Sequence, residues 1–189
     1  MEEKKPVLFL LDAMALAYRA YYAMIKNPVR NSKGLNTSAV LGFANTILEL
    51  INKEKPHLLG VAFDTIAPTA RHDEFDFYKA NRQPMPDDLS ISLPYIKEML
   101  QLMDIPILEV DGYEADDVIG TLAKEAEARG YQTYLMTPDK DFGQLVSENI
   151  FMYKPAKFGA AAEVWGVREV CDRFMIERPE QVIDILAIM

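Results

Sequence analysis

The residues VLFLLD (Val7 to Asp12) and LLGVAFD (Leu58 to Asp64) decide the fold, because each is a short unbroken apolar run that closes on an aspartate. Apolar runs without alternation suit strands buried on both faces of a parallel sheet. Between them, TSAVLGFANTILELINK (Thr37 to Lys53) places its apolar residues at helical spacing, and Pro56 stands just past its end. Parallel strands need such a crossover, so the three segments predict a β-α-β unit.

Working outward, a helix is expected over Ala13 to Met24, and an irregular polar stretch runs from Thr65 to Pro86. A helix at about Asp87 to Met103 and a strand over Ile105 to Val110 come next, then a turn at Asp111-Gly112. Glu114 to Arg129 predicts a helix ended by Gly130, followed by a strand over Gln132 to Met136. A last strand, Asn149 to Tyr153, precedes a Gly/Ala-rich loop and two short helices at about Val167 to Phe174 and Pro179 to Ile188. This alternation predicts an α/β class: one domain over 1–189, with a mostly parallel central sheet and helices on both faces. In such sheets the functional site lies outside the carboxyl ends of the strands.

Half of the 189 residues are hydrophobic and a quarter are charged, a globular mix. Cys171 is the single cysteine, so no intrachain disulfide forms and a reducing cytoplasm fits. The run from Val7 to Leu11 is too short to span a membrane, and Asp12 interrupts any signal core. The net charge of −9 argues against a nucleic-acid partner, whose affinity rests on Lys and Arg. That objection weakens if seven acids hold cations, because the remainder then carries only about −2.

Those seven follow the strand ends: Asp12, then Asp64, then Glu114, Asp116 and Asp117, then Asp139 and Asp141. Each has a bland reading. Asp12, Asp139 and Asp141 suit helix caps, and Asp117 suits a first-turn acid. Taken together they point to metal, because two charges about 4 Å apart repel by roughly 4 kcal/mol at an effective dielectric near 20. Oxygen donors select a hard cation such as Mg²⁺, with Mn²⁺ as a substitute, and His57 and His72 build no His/Cys site. Two such ions serve in-line phosphodiester displacement.

Five segments then carry a family resemblance: LLD at Leu10 to Asp12, AFD at Ala62 to Asp64, YKANR at Tyr78 to Arg82 with MPDDL at Met85 to Leu89, EADDVIGTLA at Glu114 to Ala123, and DKD at Asp139 to Asp141 with QLV at Gln144 to Val146. In this order they closely resemble the 5′ nuclease domains of bacterial DNA polymerase I, from about residue 7 onward. The resemblance implies a PIN-like fold, two divalent ions in the complete domain, and structure-selective 5′-3′ exonuclease or flap endonuclease activity in DNA replication and repair. The implied partners are DNA with 5′ flaps, nicks or RNA primers, on a monomeric chain joined to a polymerase domain. It assigns the seven acids to metal, Lys79 and Arg82 to the scissile phosphate, and a mobile basic arch or lid to about 65–88. It departs at Pro138, where the family has glycine. It also implies that the chain stops before the last metal-binding acids and a duplex-binding helical hairpin.

Arg71, Tyr78, Lys79 and Arg82 form a basic, aromatic stretch suited to phosphates and stacked bases. Tyr18, Tyr21 and Tyr22 could line a DNA channel, although aromatics at helical spacing more often fill a core. Arg30, Lys33 and Gly34 could meet a DNA backbone. Trp165, Cys171 and the methionines at 99, 103, 175 and 189 are read as packing. Two alternatives stay open: a PIN-type ribonuclease, and a noncatalytic or weakly active DNA-binding fragment. A phosphatase fits less well, since no Asp-x-Asp-x-Thr motif follows the first strand.

Overall fold

The computed structural model describes residues 5–65, 84–155 and 161–188. Among these the strands are β1 (Val7–Asp12), β2 (Leu58–Ala62), β3 (Ile107–Leu108), β4 (Gln132–Met136), β5 (Ile150–Lys154) and β6 (Glu163–Trp165). They form a six-stranded sheet ordered β3-β2-β1-β4-β5-β6. β1 with β4, β4 with β5, and β2 with β3 pair in parallel, and β6 runs antiparallel to β5. The expected α/β class with a mostly parallel sheet is present. The helices are α1 (Ala13–Ala23), α2 (Ser38–Glu54), α3 (Asp87–Leu102), α4 (Ala115–Ala128), α5 (Val167–Phe174) and α6 (Val182–Ala187), with 3-10 turns at Lys140–Leu145 and Pro179–Gln181. Among the described residues, no helix is long and apolar enough to cross a membrane.

The chain divides into two compact units. The first comprises Met1–Asp12, Pro56–Leu59 and Ile119–Met189. Its strand register sets Phe9 against Tyr134 and Tyr134 against Phe151, and the rings stack at 4.8 and 5.3 Å. The next row, Leu10, Leu135 and Met152, is fully buried. Alternate strand residues face opposite sides, so one row is aromatic and the next aliphatic. His57 pins the start of β1: its Nδ1 accepts the Val7 N–H at 3.0 Å, and its own N–H donates to the Val7 carbonyl at 2.9 Å. α4 ends just before Gly130, whose φ of +83° is a turn that residues with a Cβ resist.

The second unit comprises Ala13–Lys55 and Gly60–Val118. Here α2 packs against both α1 and α3, burying Leu16, Ala17 and Ala20 of α1, Phe43, Ile47 and Leu50 of α2, and Leu89, Ile96 and Leu100 of α3. A Cβ on Gly42 would stand 2.6 Å from the Ala20 Cβ, so glycine permits the close helix approach.

Three elements differ from expectation. β3 is two residues long rather than six: it begins only after Pro106, which has no N–H for the ladder although its carbonyl accepts the Val61 N–H at 3.0 Å, and it ends at Leu108. β6 lies in the segment read as loop; three residues are too few to show a period. The last helix is split, with a 3-10 turn opening at Pro179 ahead of α6.

Candidate metal centre

In the second unit, β2 delivers Asp64 two residues past its end, where Oδ1 accepts the Ala115 N–H at 2.8 Å. That N–H is the first of α4 and has no partner within the helix, so the carboxylate caps it from another strand. Glu114, 5% exposed, donates its N–H to Asp117 Oδ2 at 3.2 Å, and the Asp117 N–H donates to Asp116 Oδ1 at 2.8 Å. The helix N-terminus favours negative charge, which lets these acids gather there. Next in the chain, Thr65 Oγ1 is buried without a hydrogen-bond partner.

In the first unit, β1 and β4 run in register to Leu11 against Met136, and the following residues are Asp12 and Thr137. The Thr137 hydroxyl, in a residue 1% exposed, donates to Asp12 Oδ2 at 3.2 Å and accepts the Asp139 N–H at 3.2 Å. Asp139 Oδ1 in turn accepts the Asp141 N–H at 3.0 Å, which makes Asp139 the N-cap of the 3-10 turn at Lys140–Leu145. Burial, then the Asp139 charge and a hydrogen bond with that side chain, raise the Asp141 carboxyl above its usual pKa. The first-turn reading of Asp117 and the capping reading of Asp139 are therefore real.

Each unit thus gathers its own oxygen donors: Asp64, Glu114, Asp116 and Asp117 in one, Asp12, Asp139 and Asp141 in the other. Among the described residues, no three His, Cys, Asp or Glu side chains converge closely enough to hold an ion as they stand. Bare carboxylates repel, which opposes such convergence before a cation arrives. The donor set is oxygen throughout, and the unmet Thr65 hydroxyl leaves a polar atom beside Asp64, so the residues fit a hard divalent cation. Arg71, Tyr78, Lys79 and Arg82 lie outside the described residues, as does most of the expected arch at 65–88.

Of the tyrosines of α1, Tyr22 stands at the surface, while Tyr18 and Tyr21 are half-buried. Tyr18 and Tyr22 stack at 6.1 Å, Tyr21 meets Tyr22 edge-on at 5.3 Å, and Tyr22 is 53% exposed. The tight contact of α1 with α2 at Gly42 has room for Ala17 and Ala20, not for rings. One signal escaped the sequence reading, and a second was read only in part, at Arg30 and Lys33. Thr137 links Asp12 to Asp139 although it is no acid. Arg19, Lys26, Arg30 and Lys33 are the only charged residues between Asp12 and Glu49, a cationic stretch in an acidic chain. Arg30 donates to the Gly34 carbonyl at 2.7 Å and pairs with Asp88 at 3.9 Å, which orders that loop.

Residues 7–175 match the family described as 5′-3′ exonuclease, N-terminal resolvase-like domain. The 5′-3′ exonuclease of Aquifex aeolicus (strain VF5) is 40% identical over 182 residues, covering 96% of this chain and 61% of that protein. DNA polymerase I of Bacillus subtilis (strain 168) is 39% identical over 189 residues, covering all of this chain and 21% of that one. The chain therefore spans less than two thirds of these curated relatives. A structure of T5 5′-exonuclease with divalent zinc ions bound superposes with a TM-score of 0.67 at 18% identity, over 94% of this chain and 64% of that one, and shares the fold.

Proposed function

Because this chain belongs to the 5′-3′ exonuclease family by its N-terminal resolvase-like domain, we propose that it hydrolyses phosphodiester bonds at 5′ ends and flaps of DNA during replication and repair. The observation that carries this reading is the pair of carboxylate sets held by backbone N–H groups and Thr137 at strand and helix ends. Asp12, Asp64, Glu114, Asp116, Asp117, Asp139 and Asp141 are the residues that would hold divalent cations, Mg²⁺ by preference and Mn²⁺ as a substitute. Such ions lower the pKa of bound water and stabilise the leaving oxygen.

The chain's own residues do the rest. Arg19, Lys26, Arg30 and Lys33 draw the DNA backbone toward an otherwise acidic protein. Tyr22 offers an exposed ring on which a base can stack. Lys79 and Arg82, three residues apart, direct two cations at the phosphate, whose nonbridging oxygens gain charge in the transition state, while Arg71 and Tyr78 steady the strand. Activity in a reducing cytoplasm fits the single cysteine.

The test is cleavage of labelled 5′-flap DNA, single-stranded RNA and a phosphate monoester, with and without Mn²⁺. Flap cleavage only with metal is expected; cleavage of RNA alone would favour a ribonuclease, and binding without cleavage a noncatalytic module. Loss of one well-aimed donor costs about 2.7 to 4 kcal/mol of transition-state stabilisation. Lys79→Ala should therefore slow saturating single-turnover cleavage by about 100-fold or more and weaken DNA binding far less. A rate within a few-fold of the parent removes Lys79 from the reaction.

A further inference from the structure

We infer that Thr137, a residue with no acid function of its own, is the positioning residue that fixes the Asp12 carboxylate for cation binding. The inference rests on the metal-dependent reading above and adds a residue to it.

The direction of the hydrogen bonds is determined by chemistry. A backbone N–H can only donate, so the Asp139 N–H at 3.2 Å occupies a lone pair of Thr137 Oγ1. The hydroxyl has one proton, and its other partner is Asp12 Oδ2, also at 3.2 Å, which as a carboxylate can only accept. Asp139 Oδ1 then takes the Asp141 N–H at 3.0 Å. The result is a one-way relay, Asp141 to Asp139 to Thr137 to Asp12, that joins the three candidate ligand acids of the first unit through one buried hydroxyl.

The relay exists because of the sheet. β1 and β4 pair in parallel to Leu11 and Met136, so the next residues on each strand leave the ladder side by side. Thr137 is 1% exposed, so its hydroxyl is largely shielded from solvent. Oδ2 is thereby engaged, which restrains the orientation of the Asp12 carboxylate. A ligand whose plane is set before the cation arrives loses less conformational freedom on binding. Partners that orient metal ligands typically change affinity by about 10- to 100-fold when removed.

A purely structural threonine would pack through its methyl group and tolerate valine, which has the same shape. The two roles separate in a Mn²⁺ titration of the intact chain without DNA, followed by calorimetry or by the electron paramagnetic signal of free Mn²⁺. Thr137→Val should weaken Mn²⁺ binding by about 10-fold or more, and Thr137→Ser, which keeps the hydroxyl, should stay within about three-fold of the parent. In an Asp12→Asn background, Thr137→Val should add little, because the group it positions is already altered.

Equal defects in Thr137→Val and Thr137→Ser, or a full additive loss in the Asp12→Asn background, overturn the inference. So does parent-like binding by Thr137→Val. If that variant does not fold, Thr137→Ala replaces it, with the same outcomes. Failure of the parent itself to bind Mn²⁺ overturns the metal-dependent reading as well; a parent that binds while Thr137→Val binds equally overturns only the relay.

Discussion

Asp139 and Asp141 place two like charges on one turn, and the backbone holds them there, since the Asp141 N–H bonds Asp139 Oδ1. Burial and the neighbouring charge raise the Asp141 carboxyl, so the folded chain binds that proton more tightly than the unfolded chain does. The stabilising contribution of the proton is full below the ordinary aspartate pKa and is lost as pH rises through the raised value. Above that raised value the ionised Asp141 faces the neighbouring Asp139 charge, a repulsion that nothing offsets when no cation is bound. Asp141→Asn mimics the protonated acid and can donate to Asp139, so it should raise the metal-free melting temperature at pH 7. Solvent screening limits the gain to about 1–2 °C. Because the parent neutralises itself in acid, the gain should shrink toward zero as pH is lowered. A gain that persists unchanged at low pH would show that charge relief is not its cause. The acids were legible in the sequence because a carboxylate at a strand end is conspicuous by type. Thr137 was not, because its partner lies 125 residues away and only the parallel register brings them together. His57 shows the same limit: nothing local in the sequence says that its ring accepts the Val7 N–H, 50 residues away.

At the scale of elements, apolar periodicity carried most of the fold. The long helices and the strands β1, β2, β4 and β5 have enough residues to show a period, and their bounds fall within one or two positions of the expected ones. The elements that escaped are those whose cause is not local. β3 begins only after Pro106, and β6 exists through its pairing of Trp165 with Met152. Tyr22 misled because helical spacing says which residues share a face, not which face is covered. Gly42 decides that point, since only a missing Cβ lets the backbones of α1 and α2 come close enough to cover Ala17 and Ala20. Gly42→Ala should consequently destabilise the protein although alanine is the better helix former. The added methyl meets Ala20 Cβ at 2.6 Å and Ala20 Cα at 3.3 Å, and backbone cannot swing aside as a long side chain can. Overpacking of this kind costs about 1–3 kcal/mol, or roughly 2–12 °C in melting temperature for a chain of this size. Thermal unfolding of the variant checks this, and an unchanged or raised melting temperature would mean that the helices part without cost.

Over the whole molecule the decisive property is the distribution of charge rather than its sum. The chain carries −9 in total, yet between Asp12 and Glu49 its only charges are Arg19, Lys26, Arg30 and Lys33. Net charge alone argues against a nucleic-acid partner, but it is a weak guide here, because the acids follow the strand ends while these cations cluster in one stretch. The same division yields a prediction of sign. When Lys and Arg alone hold DNA, divalent cations compete for the phosphates, so adding them at fixed ionic strength weakens binding. When acids on the protein hold the cations, the added charge removes a repulsion against the DNA and offers the phosphate a positive partner, so binding tightens. Ca²⁺ suits the test because it accepts oxygen ligands in flexible geometry. Fluorescence anisotropy of a labelled 5′-flap DNA, with Ca²⁺ or an equal ionic strength of NaCl, should show binding about 10-fold tighter with Ca²⁺, a gain of about 1.4 kcal/mol. Asp64→Asn with Asp139→Asn should remove that gain while leaving the NaCl measurement the same or slightly stronger, since two repelling charges are gone. If Ca²⁺ weakens binding in the parent, the acids do not meet DNA through cations, and the basic stretch alone accounts for the interaction.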